Sequence, residues 1–282
     1  MSIAIEDRRA VRQAARRRRA RRGAVISAVS TVVVLGGLAA LILTSQGWPN
    51  VRETFLSWPD FKEAFPDVLK GFWLDVKLFV IVEIVVLVLG LVIALVRTTR
   101  APALFPLRMV AAVFVDVMRG IPTILLVYLI GFGIPALRLS GLPTDPVVLG
   151  GLALSLSYSA YVAEVYRAGI ESVSSGQRAA ALAVGLTARQ TMRFVVLPQA
   201  VRRVVPPLMN DFIALQKDVA LVSILGPQEA FRQAQIFASS NFNYTPLLAA
   251  ALLYLCVTIP MARWVDRLQA RTARARTAQV TA

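Results

Sequence analysis

Ser175-Gly176-Gln177-Arg178-Ala179-Ala180-Ala181-Leu182-Ala183-Val184-Gly185-Leu186-Thr187-Ala188-Arg189-Gln190, running on to Val196-Leu197-Pro198-Gln199, is a polar, alanine-rich insert between two long apolar runs. It carries Arg178, Arg189 and Arg193, each costing about 2.5 to 3.5 kcal/mol at the centre of a bilayer-spanning helix. The insert therefore lies outside the lipid. Gly185 is placed to close one short helix as a left-handed cap. Thr187, with Gln190 three residues on, forms a capping box that starts a second helix, which ends before Pro198. Two short helices meeting at a bend are expected. Ala179, Ala180 and Ala183 give the first a face of small side chains that lets another protein's groove approach closely. A capped re-entry loop between spans is the plainer reading of the same signals.

Outward from the insert, five apolar runs are long enough to span: Val76 to Val96, Met109 to Ile134, Val147 to Ile170, Val204 to Leu225 and Pro246 to Val265. Gly23 to Thr44 precedes them. With 57% hydrophobic residues and a mean hydropathy of +0.64, the chain reads as an all-α polytopic membrane protein. The first run follows Arg8, Arg9, Arg12, Arg16 to Arg19, Arg21 and Arg22, as a signal peptide would. Its apolar core exceeds the ~7 to 15 residues of a cleavable signal, and Thr44-Ser45-Gln46-Gly47 offers no Ala-x-Ala site, so it is expected to stay as a membrane helix. Six helices with both termini in the cytosol follow from this count.

Charge placement agrees, because Lys and Arg accumulate on the cytoplasmic side. That side receives the nine N-terminal arginines, Arg97, Arg100 and Arg108, then Arg167, Arg178, Arg189, Arg193, Arg202 and Arg203, then Arg263, Arg267, Arg271, Arg274 and Arg276. Outside remain Arg52, Lys62, Lys70, Lys77, Arg138 and Arg232. The insert is thereby assigned to the cytosol. The net charge of +15 does not imply nucleic-acid binding, since the basic residues flank spans and are not interleaved with stacking aromatics. The terminal arginines instead suit topology and attraction to anionic membrane lipid, about 1 kcal/mol per residue near the surface. The C-terminal segment from Arg271 lacks apolar periodicity and is expected to be disordered, as is the N-terminal end. Trp48, Phe55, Trp58, Phe61, Phe65, Phe72 and Trp73, with Pro49, Pro59 and Pro66, suit a chain lying along the outer interface. Gly226 to Asn243 is expected to hold a short surface helix.

The ordered pattern Arg119-Gly120-Ile121-Pro122, Ser159-Ala160-Tyr161-Val162-Ala163-Glu164 through Arg167 and Gly169-Ile170, then the insert, Leu197-Pro198-Gln199-Ala200, Pro206-Pro207, Asn210 and Lys217 resembles the polar amino-acid permeases among ABC importer membrane subunits. In those the insert is the coupling loop, which docks into a cleft on a cytosolic ATPase. The resemblance covers roughly residues 66 to 265. It implies a five-helix permease core plus, here, one extra N-terminal transmembrane helix. The implied layout is a basic cytosolic tail at 1–22, the extra helix at 23–45, an extracytoplasmic interfacial segment at 46–73, the core at 74–265 with its coupling loop at about 171–198, and a basic cytosolic tail at 266–282. Gly176, Gln177, Ala179, Ala180, Ala181, Gly185, Leu197 and Pro198 are then the ATPase contacts. Two departures stand out: the acidic residue that usually opens the loop motif is Ala179, and the Thr-Ser that commonly follows Lys-Asp is Val219-Ala220.

The resemblance also implies partners: cytosolic ABC ATPases, a second permease subunit (identical or homologous), and an extracytoplasmic amino-acid-binding protein, all at the bacterial cytoplasmic (inner) membrane. The sequence has no histidine and no Gly-x-x-x-x-Gly-Lys-Ser/Thr phosphate loop. No catalytic residues, metal site or cofactor are therefore expected on this chain, and ATP and Mg belong to the partner ATPase. Cys256 stands alone in an apolar run and reads as a buried small hydrophobe. An ion-coupled secondary transporter would show internal inverted repeats, and no second copy of the Glu164 to Pro198 pattern occurs. A non-transporting membrane scaffold leaves the insert unexplained.

Glu83, Asp116, Arg119, Glu164, Asp211, Lys217 and Asp218 fall within or near spans, where a charge is a functional candidate by default. Glu164 follows Ser155, Ser157, Ser159 and Tyr161, an unusually polar stripe. It is expected to be a lone carboxylate lining the substrate path, with a salt bridge to a neighbouring helix as the other reading. Asp116 and Arg119, three apart, either neutralise each other or serve transport. Pro206-Pro207 is expected to break its span beside Asn210 and Asp211 and open a water-lined path. The candidate path is thus Glu164, Tyr161, Arg119, Asn210 and Asp211. Lys217 and Asp218 look structural.

Overall fold

The computed structural model describes residues 2–99 and 101–280, with side chains described for 22–99 and 101–270. The side chains of most of the two expected tails, and all of Arg100, lie outside the described residues. The ends, expected to be disordered, are instead helical over their described backbone, from Ser2 at one end and through Val280 at the other. The chain divides after Ser57 into two units. The first holds α1 (Ser2–Leu43) and α2 (Trp48–Phe55). The hydroxyls of Thr44 and Ser45 donate to the carbonyls of Ala40 and Ile42, both at 2.7 Å, satisfying acceptors that the end of α1 would leave open. Pro49 sits in the first turn of α2, where its missing N–H costs nothing. From Val25 to Leu43 the apolar side chains of α1 are exposed, and Arg22–Leu43 is long and apolar enough to cross a membrane.

The second unit contains α3 (Trp58–Thr98), α4 (Phe105–Gly120), α5 (Thr123–Ala136), α6 (Pro146–Glu171), α7 (Ser175–Ala183), α8 (Ala188–Thr191), α9 (Leu197–Asp218), α10 (Ala230–Asn241) and α11 (Thr245–Val280). Among the described residues there is no strand. Helix α6 is the hub, packing on α3, α4, α5 and α9. Its start is fixed by Asp145, whose carboxylate accepts the Val148 N–H at 2.9 Å. Ala153, Leu154, Tyr158 and Val162 of α6 meet Leu78, Val82 and Val86 of α3, Val127 of α5 and Leu215 of α9 in the largest core cluster. The polar stripe therefore faces the bundle interior. Ser157 is within 3.2 Å of the Thr123 hydroxyl, and Ser159 donates to the Leu156 carbonyl.

Four of the expected elements differ in form. The run Met109 to Ile134 is no straight span: α4 and α5 meet at 105° across Ile121-Pro122. Proline disfavours helical backbone in the residue before it, and Ile121 is extended at ψ 129°. The run Val204 to Leu225 starts earlier, at Leu197, and tightens into a 3-10 segment over Val219–Leu225. Its Arg202, Arg203, Asn210, Asp211, Gln216 and Lys217 keep α9 out of the set apolar enough to span by composition. That set comprises Arg22–Leu43, Trp48–Thr98, Pro146–Glu171 and Thr245–Ala270, or five with the bent pair. Pro206-Pro207 does not break its helix either. Helix α9 runs through both prolines, because their fixed φ is helical and neighbouring helices hold the segment despite the lost backbone bonds. Residues 58–73 form the first turns of α3, which continues through Pro66. Trp58, Phe61 and Phe65 stack successively along it, with ring centroids 5.3 and 5.0 Å apart. Cys256 is exposed on α11, not buried.

Candidate functional site

The insert folds as two short helices about a bend. Ser174 caps α7 by accepting the Gln177 N–H, a cap the residue pattern Ser-x-x-Gln encodes. Gly185 takes φ +86°, and the Gly185 and Leu186 N–H groups donate to the carbonyls of Leu182 and Ala181. This is a Schellman turn, and its left-handed residue favours glycine. Thr187 and Gln190 complete the capping box of α8: the Thr187 N–H donates to Gln190 Oε1 at 2.8 Å and the Gln190 N–H to Thr187 Oγ1. A π turn over Met192–Val196 then leads into α9, with Pro198 in its first turn.

The exposed surface of this bend carries large apolar side chains beside Arg189, Gln190 and Arg193. Val184 is 79% and Phe194 62% exposed, and Leu182, Met192 and Leu197 also face outward. Gly176, Gln177, Ala179, Ala180, Ala183, Gly185 and Pro198 are exposed beside them. Ala181 is the exception. It is buried, because it lies on the opposite face of α7, and cannot be a contact on this surface.

Arginines tie the bend to the bundle, a feature hidden in the sequence, where the same residues read as topology signals. Arg178 donates to the Ile170 carbonyl and Arg203 to the Ser172 carbonyl, gripping the C-terminal end of α6 from α7 and from α9. Two turns back, Glu164 accepts from Arg97 of α3 at 2.8 Å and from Arg167 on its own helix, while Arg167 also reaches Glu171. Glu164 is therefore not a lone carboxylate. The i,i+3 and i,i+4 spacings of Glu164, Arg167 and Glu171 were readable; Arg97, 67 positions away, was not.

Of the other path candidates, Tyr161 and Arg119 are brought together. The Tyr161 hydroxyl donates to the Arg119 carbonyl at 3.4 Å, and the guanidinium lies 5.6 Å from the ring centre. Arg119 forms no ion pair with Asp116 among the described residues, so mutual neutralisation does not hold. Asn210 is exposed on α9. Asp211 is half-buried with its Oδ2 lacking a hydrogen-bond partner, and Glu83 of α3 is buried. Phe79 and Phe212 meet edge to face at 4.6 Å one turn away. Tyr158 donates to Asp218 at 2.8 Å, tying α6 to α9, while Lys217 is exposed. The interior thus presents the carboxyls of Glu83, Asp211 and Asp218 and the tyrosines Tyr158 and Tyr161, with Arg119 beside Tyr161.

The profile of the binding-protein-dependent transport system inner membrane components matches residues 87–274. The chain belongs to this family. The match runs from the middle of α3 into α11 and includes the whole bend. The permease is 33% identical over 205 residues to the probable amino-acid permease protein YxeN of Bacillus subtilis, covering 72% of this chain and 90% of that one. It is also 33% identical to the glutamine transport system permease protein GlnP of Escherichia coli, covering 76% of this chain and 96% of that one. A solved amino acid ABC transporter with histidines superposes with a TM-score of 0.69 at 30% identity, covering 76% of this chain and 98% of that one. The inward-facing MetNI methionine ABC transporter shares the fold, with a TM-score of 0.57 at 20% identity. The all-α permease architecture is thereby established, and the ion-coupled and scaffold readings are left without support.

Proposed function

We propose that this permease imports a polar amino acid across the bacterial cytoplasmic membrane, with both termini in the cytosol. Two permease subunits, identical or homologous, form the path. Cytosolic ATPases carrying ATP and Mg bind the bend, and an extracytoplasmic binding protein delivers the substrate. The observation that carries this reading is the bend itself: two capped helices that expose large apolar side chains, with Arg178 anchoring α7 to the end of α6 and Arg203 of α9 gripping that same end. Closure of the ATPases would push α7, and through Arg178 and Arg203 would move α6 and α9. The names of the relatives support an amino acid as cargo. Arg119, Tyr161, Asn210 and Asp211 are proposed to line the path, with Glu83 added. Glu164 is reassigned to holding α3 against α6.

Affinity purification of the tagged full chain from its native membrane tests the assembly. An ATPase with a phosphate-binding loop should copurify, and its hydrolysis should rise at least severalfold when the amino-acid-loaded binding protein is added. Recovery of the permease without any such ATPase would overturn the proposal.

A further inference from the structure

Far from the bend, two carboxyl groups are shut inside the bundle together. Asp75 of α3 is 3% exposed and Glu229, which precedes α10, is 2% exposed. Asp75 lies 22 residues before Arg97, so roughly 33 Å along α3 from the Glu164 ion pairs. The two carboxyls converge on one group, the Tyr254 hydroxyl. Glu229 accepts the Phe231 and Arg232 N–H groups, both at 2.7 Å, and so caps α10. Asp75 Oδ2 accepts the Ala230 N–H at 3.3 Å and the Tyr254 hydroxyl of α11 at 2.7 Å, while Asp75 Oδ1 is buried without a partner. The same hydroxyl is 3.4 Å from Glu229, and its one proton serves one carboxyl at a time.

No cation balances the pair. Among the described residues, neither carboxylate forms an ion pair. Arg232 turns its guanidinium to Gln235 at 2.8 Å, and Lys77 lies over the Trp73 ring. Tyr254 is the titratable group that faces the pair from α11, and the 3-10 segment Val219–Leu225, which also touches α10, contains none. The surroundings are Val68, Phe72, Ala230, Ala234 and Ala250. The fit is tight as well: a Cβ on Gly71 would stand 2.5 Å from the Glu229 carbonyl carbon, so the start of α10 rests on the backbone of α3. Two adjacent buried carboxylates cannot both stay ionised without a counter-charge.

We infer that Asp75 and Glu229 hold one proton between them, and that this proton seats α10 against α3 and α11. The seat of α10 is then a proton-binding site. Loss of the proton leaves two facing carboxylates, which push α10 off α3. Burial first, and then the neighbouring Asp75 carboxylate, raise the Glu229 carboxyl above the usual carboxylate range, in keeping with this.

The linkage has a definite sign. The folded chain keeps a proton that the unfolded chain releases in the ordinary carboxylate range, so stability falls as pH rises from that range until the folded pair has itself lost the proton. The test compares thermal midpoints of the purified full chain against pH with those of Asp75→Asn/Glu229→Gln, and needs no transport activity. The wild type should lose folded population relative to the variant by up to about tenfold per pH unit within that window. Parallel curves would overturn the inference. Should the double variant not fold, infrared spectra of the wild type and Glu229→Gln at neutral pH decide. A protonated-carboxyl band lost in the variant supports the shared proton, and identical spectra refute it.

Discussion

Gly185→Val is expected to cut transport sharply while leaving the membrane bundle folded. Gly185 holds φ +86° in the Schellman turn that sets the angle between α7 and α8. A Cβ there would meet nothing within 4 Å, so the penalty is conformational and not steric. A left-handed backbone costs an L-residue about 1 to 2 kcal/mol, and a β-branched residue is among the least tolerant. The chain relieves this by opening the turn, which redirects Leu182 and Val184 away from the surface they share with Phe194. Uptake should fall at least about tenfold, the equivalent of 1.4 kcal/mol. Gly185→Asn serves as the control, because asparagine visits the left-handed region readily, and it should retain most activity. Equal uptake by the valine and asparagine variants would show that the bend angle is not used.

Glu164→Gln should lower the thermal midpoint and the yield of the chain, not merely its transport rate. Glu164 is the only carboxylate that Arg97 pairs with among the described ion pairs, and both are largely covered, at 23% and 16% side-chain exposure. Removing the charge strands Arg97 between α3 and α6, at a cost of about 2 kcal/mol; a fully buried pair would cost about 3 to 5 kcal/mol, but water reaches this one. Arg167 keeps Glu171. Replacing both partners, as Arg97→Met/Glu164→Met, should recover most of the midpoint, since apolar substitution of an ion pair is often close to neutral. An unchanged midpoint with lost transport would return Glu164 to the substrate path.

What could be read from the sequence was what local chemistry controls. The bend was legible because a left-handed glycine and a capping box act within a few residues. The position of the spans was legible from hydropathy, but their shape was not. Ile121-Pro122 sat inside an apolar run whose hydropathy hid a 105° turn, and Pro206-Pro207 carried a break signal that packing overrode. Contacts between distant residues were out of reach. Glu164 looks solitary because Arg97 lies on another helix, and nothing local to Asp75, at the edge of an apolar run, reveals that Tyr254 brings it together with Glu229. Ala181 was grouped with its exposed neighbours because a run of alanines does not say which face of the helix turns inward.

If this chain forms the path of an ATP-driven importer, transport itself shows it. Purified permease, ATPase and binding protein should be reconstituted in vesicles, and uptake of labelled polar amino acids such as glutamine, arginine and histidine followed. Uptake should require ATP and the loaded binding protein together, and should fall at least about tenfold with Gly185→Val. Uptake driven by an ion gradient without ATP, or none from the fully assembled complex with any polar amino acid, would contradict it.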